Sequence, residues 1–295
     1  MFGWLNANAI VLVNGLAFAA LLYTISVGLS LVLGMMKVLN LAHGTLYLVG
    51  GYIAVALGSS RPSWSSFLLA LAVSAGVGVL AGSGLAAMVD GKKRRSENEQ
   101  VLLTLGAALI GSELLVMHFG GSVRSLAAPA GLDGVTSLFG KAYPVYRLVL
   151  IGVGVLLVLT ITLVMERSPI GAIVRATVAD PEMVRAIGID TRKVSIGVFA
   201  AGAVLATVGG VLGGPMLGAA PGLDSQILLI SLVVVVIGGL GSVRGAVLGA
   251  VLIGELQVLG TSLLPQLAPF LLFGAMAVVL VVRPNGLLGD STRTA

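Results

Sequence analysis

The stretch VLNLAHGTLYLVGGY, Val38 to Tyr52, places polar groups where its surroundings offer almost none. Asn40, His43, Thr45 and Tyr47 fall close together, with glycines at Gly44, Gly50 and Gly51, and long apolar runs lie on both sides. Such a cluster reads either as a catalytic or metal site or as a break in a membrane helix whose freed backbone groups need partners. The first reading lacks its parts: the chain has two histidines, His43 and His118, no cysteine, no H-E-x-x-H spacing and no G-x-S-x-G elbow. A helix break remains, with Asn40 and His43 as braces for the backbone and Gly44 permitting the bend. Asn40, His43, Thr45 and Tyr47 are also candidates for direct contact with a solute.

The membrane setting follows from composition. Of 295 residues, 57% are hydrophobic and 10% charged, with a mean hydropathy of +1.09. A globular domain carries about a quarter charged residues, so this chain cannot cover a soluble surface and reads as an integral membrane protein. Glycine, at 42 residues, suits close packing of membrane helices. The opening MFGWLNANAI lacks a basic n-region and a small-residue cleavage site, and is read as mature protein. The net charge of +5 does not point to nucleic acid, because in a membrane protein the placement of charge matters more than its sum.

Nine apolar segments are candidate spans: about 9–36, 45–58, 66–89, 100–118, 147–165, 195–217, 226–241, 245–260 and 268–283. The first is long enough to be one pass or two. Placing DGKKRRSENE, Asp90 to Glu99, in the cytoplasm puts 13 lysines and arginines inside and 4 outside. That bias sets the orientation, with a cytoplasmic C-terminus, a cytoplasmic loop at about 166–194 and an outer loop at about 119–146. The whole of 1–295 forms one transmembrane domain, all-α, with about 8–9 spans, some of them broken.

Within the loop ERSPIGAIVRATVADPEMVRAIGIDTRKV, Asp180 is suited to an N-cap, Pro181 to the first helical position and Glu182 to the positive end of the helix dipole. Gly188 is placed to end the helix in a left-handed conformation. A short helix over 181–187 is predicted, with Met183, Val184 and Ile187 as its apolar residues and Arg185 pointing elsewhere. That face would lie on lipid or insert into a soluble partner. An interrupted unit at Val233 to Gly254, VVVVIGGLGSVRGAVLGAVLIG, mirrors one at Gly28 to Tyr52, GLSLVLGMMKVLNLAHGTLYLVGGY. Paired interruptions point to a translocation pathway, so Gly238, Gly239, Gly241 and Glu255 join its candidates; Gly-rich packing would look similar.

Four motifs in order, GLSLVLGMMKVLNLAHG, RATVADPEMVRAIGI, VVIGGLGSVRGAVLGA and RPNGLLG, resemble the permease subunits of the branched-chain amino acid ABC importer family, collinearly from about Val13 to Gly289. The resemblance implies a bacterial inner-membrane subunit pairing with a second, unlike permease and binding two cytoplasmic ATPases, which hold ATP and Mg. A periplasmic or lipid-anchored binding protein would deliver the substrate; no cofactor is expected in this chain. It further implies that the helix from Pro181 to Ile187, with Arg175, Asp180, Met183, Arg185 and Gly188, contacts an ATPase as a coupling helix. Departures are Leu41, where relatives commonly carry an aromatic residue, and Thr45, where they often carry an acidic or small one. Substrates therefore include leucine, isoleucine and valine, or a related solute such as urea, an amide or an aromatic acid.

Two acids inside predicted spans, Glu113 and Glu255, support a rival, a proton-coupled secondary transporter. That reading leaves the 166–194 loop without a role. No G-x-x-x-x-G-K-[ST] loop occurs, so ATP is not bound here through a P-loop, and the chain is expected to be a transport subunit rather than an enzyme.

Overall fold

The computed structural model describes residues 2–36, 39–58, 63–89 and 96–289, without the side chains of 2–8 and 269. The basic run at 92–95 that sets the sequence-based orientation lies outside them. Each of the nine apolar segments forms one helix: α1 (Phe2–Met36), α2 (His43–Leu57), α3 (Trp64–Val89), α4 (Glu97–Phe119), α5 (Val145–Arg167), α8 (Thr191–Leu217), α9 (Leu223–Gly238), α10 (Val243–Leu263) and α11 (Ala268–Val282). The segment at 9–36 belongs to a single continuous helix. Between α5 and α8 lie two further helices, α6 (Pro169–Ala179) and α7 (Pro181–Ala186). Among the described residues, six helices are long and apolar enough to cross a membrane. The others among the nine, α2, α9 and α11, have 15 or 16 residues, only about 22–24 Å against a hydrocarbon core of ~30 Å.

Helix boundaries follow local chemistry. Ser96 caps α4 by accepting from the Glu99 N–H while Glu99 accepts from the Ser96 N–H, a reciprocal capping box. Ser168 caps α6, with Pro169 in its first turn, and Asp190 caps α8. In the outer loop the chain makes a small hairpin, β1 (Val135–Leu138) with β2 (Lys141–Pro144), the one sheet among the described residues. Its two-residue turn places Phe139 and Gly140 at positive φ, as a tight hairpin requires.

The packing is centred on α1, 78% of whose most apolar window is buried, whereas the corresponding shares for α4 and α5 are 6% and 11%. Around α1 lie α8, α10, α5 and α9, with α2 and α3 held against α8. Small residues set the spacing, because membrane helices gain by close van der Waals approach. A Cβ on Gly28 would come within 2.8 Å of the Gly202 carbonyl across the α1–α8 contact, and one on Gly50 would collide with the Thr207 carbonyl across α2–α8. At the far end of α9 the tail RPNGLLG turns back, and the N–H groups of Leu287 and Leu288 donate to Ile237 and Gly238 at 2.7 and 3.0 Å. Those carbonyls would otherwise be orphaned at a helix C-terminus, so this motif works as a backbone cap.

Candidate functional site

Helix α2 begins beside Ile25, near the middle of the Ala9–Met36 span. Asn40, His43 and Thr104 are all buried. The Asn40 Oδ1 accepts from the Ala42 N–H at 3.1 Å. His43 is fully enclosed and its Nε2 lies 2.9 Å from the Ile25 carbonyl; since that oxygen can only accept, Nε2 carries the proton. From α4, the Thr104 hydroxyl accepts from the Leu41 N–H at 3.3 Å and lies 3.2 Å from the Leu39 carbonyl. Three side chains from three elements thus serve the backbone of the break, as non-helical chain at membrane depth requires.

The break meets the start of a second short helix. Gly222, at φ 86°, turns the chain into α9, and Asp224 stands in the first turn, where a carboxylate complements the positive end of the helix dipole. Gly44 approaches the Asp224 backbone so closely that a Cβ would collide with its carbonyl oxygen. Beside it, the Thr45 hydroxyl lies 3.3 Å from the Ala108 carbonyl of α4 and 3.5 Å from Asp224 Oδ2. Thr45 and Asp224 are both buried, at 6% and 7% exposure, where two helix N-termini meet.

The other pathway candidates are placed elsewhere. Tyr47 points into the core with Leu21, Ile25, Leu150, Leu212 and Ile227. Gly238, Gly239 and Gly241 form the turn from α9 to α10: Gly238 packs on Gly245, Gly241 on Gly34 of α1, and Gly239 and Gly241 adopt φ of 106° and 80°. Glu255 lies half-buried against Gly15, with Oε2 unpartnered. Glu113 is exposed on α4, on a face it shares with exposed Leu102, Leu105, Leu109 and Met117. The structure sets the start of α2 beside residues 218–224, while the turn at 238–242 meets α1 at Gly34. Asp224 was not among the sequence candidates, although the Gly, Pro and Gly before it in GAAPGLD are a turn signal followed by an acid suited to a helix start.

Beyond the spans, α6 and α7 make a protrusion. Asp180 Oδ1 accepts from the N–H groups of Glu182 and Met183 at 3.0 and 2.9 Å, and Gly188 adopts φ 88°. Val184 is buried, whereas Met183 and Ile187 are 62% and 69% exposed. Arg185 folds back along its own helix, Nε donating to the Pro181 carbonyl at 3.1 Å, and Arg175 on α6 is exposed. The rigid cap and the two bared apolar side chains thus occur together at the tip of a two-helix element. No group of three potential metal ligands occurs among the described residues.

This arrangement of apolar spans, short half-helices meeting at mid-depth and a capped protrusion defines a multi-pass transport subunit. Residues 11–281 match the family described as branched-chain amino acid transport system, permease component, and the chain belongs to it. It is 28% identical to the high-affinity branched-chain amino acid transport system permease protein BraD of Pseudomonas aeruginosa, over 94% of each chain. It is 27% identical to LivH of Escherichia coli, a permease protein of the same description, again over 94% of each. Among solved structures, PsaBC from Streptococcus pneumoniae in complex with Fab aligns over 91% of this chain and 89% of that one, at TM-score 0.48 and 13% identity, a likeness too loose to carry an argument.

Proposed function

We propose that this chain is one half of the membrane pathway of an ATP-driven importer for branched-chain amino acids or a related small polar solute such as urea, an amide or an aromatic acid. One observation carries the coupling: at the tip of the α6–α7 protrusion, Met183 and Ile187 are bared on a helix held rigid by the Asp180 cap, while Val184 anchors it. Such an element passes on a rigid-body push from a partner that closes on ATP. ATP and Mg then belong to two cytoplasmic ATPase chains, the second half of the pathway to an unlike permease, and delivery to a periplasmic or lipid-anchored binding protein. With the protrusion cytoplasmic, the C-terminus is cytoplasmic too, in the bacterial inner membrane.

For the pathway, the junction at Thr45 and Asp224 has the charges a zwitterion needs. Helix N-termini favour a carboxylate and Asp224 favours an ammonium. The binding protein carries much of the specificity, so this contact need only be weak. Buried acids without a basic partner also suit a proton-coupled transporter, which needs no ATPase contact. Replacing both Met183 and Ile187 by Asp in the assembled complex separates the two: loss of ATPase co-purification with the permease still folded is expected, and unchanged co-purification would remove the coupling role.

A further inference from the structure

A cleft of about 780 Å3 lies between α1, α3, α5, α6 and α8, away from the Thr45–Asp224 junction. Its volume falls in the ~300–1,000 Å3 range of small-molecule sites. It runs from Ile170, Ile173 and Lys193 at the protrusion toward mid-span residues Val79 and Leu205. Of its 17 lining residues, 12 are bulky Leu, Ile, Val or Met, and the only side chains with oxygen or nitrogen are Thr160 and Lys193. The α1–α8 and α2–α8 contacts of this chain meet instead through glycine, at Gly28, Gly202 and Gly50. A lining of branched side chains holds two backbones apart, so the cleft suits a flexible hydrocarbon chain better than another helix.

Lys193, at one end, is the one charged residue on the wall. Arg192 and Arg167 flank lining residues in sequence, as does Glu166, whose carboxylate is paired with Arg244. Lys193 Nζ is 3.8 Å from Asp190 Oδ2 at an exposed site, which leaves donors of its ammonium for another anion. We propose that this cleft binds an anionic phospholipid, with an acyl chain along Ile161, Val164, Val174 and Val198 and its phosphate on Lys193. The lipid would brace α6 against α5 and α8; that consequence alone rests on the coupling reading.

The test is native mass spectrometry of the full-length protein titrated in detergent with phosphatidylglycerol or phosphatidylcholine. One phosphatidylglycerol should be held more tightly than phosphatidylcholine, and Lys193→Glu should weaken it at least roughly fivefold, as expected for a cation lost at a membrane surface. Ala201→Trp, at an exposed wall position, should exclude both lipids, while Leu80→Trp, exposed on α3 outside the cleft, should change nothing. Equal retention of phosphatidylglycerol by Ala201→Trp, equal affinity for the two lipids, or a photoreactive group at position 201 that captures polypeptide rather than phospholipid would each overturn the proposal.

Discussion

Asp224 and Thr45 are the residues on which the pathway reading turns. Their oxygens are 3.5 Å apart, both side chains are buried, and Asp224 forms no ion pair with a lysine or arginine among the described residues. Asp224→Asn keeps the shape and removes the charge; the complex should assemble at normal yield and lose most uptake of its zwitterionic solute. Normal uptake would place the solute elsewhere. A second residue-level expectation concerns packing. In Gly50→Ala the new methyl collides with the Thr207 backbone, whereas at Gly152 it meets nothing within 4 Å. Overpacking of this kind costs about 1–3 kcal/mol, so melting in detergent should show a clear loss for Gly50→Ala and none for Gly152→Ala.

At the scale of elements, α7 was legible in the sequence because its chemistry is local. Asp180, Pro181 and Gly188 occupy the cap, first-turn and left-handed positions within nine residues, and the structure places each there. Asp180→Ala should cost about 1 kcal/mol of local helix stability and lower ATP-driven uptake while leaving assembly of the spans intact; unchanged uptake would show that a stiff α7 is not needed. The junction was only half legible. Asn40, His43 and Thr45 stood out as polar groups in an apolar run, and Asn40 bonds locally to Ala42, but the partners of His43 and Thr45 are Ile25, Ala108 and Asp224, the last 179 positions from Thr45. Nothing in the spacing of a single sequence reports such a meeting. The turn at 238–242 looked like the matching interruption since glycines mark both close packing and broken helices. Its glycines in fact seat α10, α1 and the RPNGLLG tail. The helix α6 carried its own signal in Ser168 and Pro169, whereas the β1–β2 hairpin has Phe139 where Asn or Asp is usual.

For the whole molecule, the fold places two features on one frame built around α1. The start of α2 meets both the start of α9 and α4, and at one end α6 and α7 stand out from α5 and α8. The chain passes from α7 into α8, which Asp190 caps, and α8 packs on α2 at Gly50 and Thr207. On the proposed coupling, a push at the protrusion would reach the junction by this packed route. The most direct measurement of this account is uptake of radiolabelled branched-chain amino acid into proteoliposomes. The assembled complex should import only with ATP on the ATPase side, and this chain alone should import nothing under a proton gradient. Gradient-driven uptake by the chain alone would contradict the account.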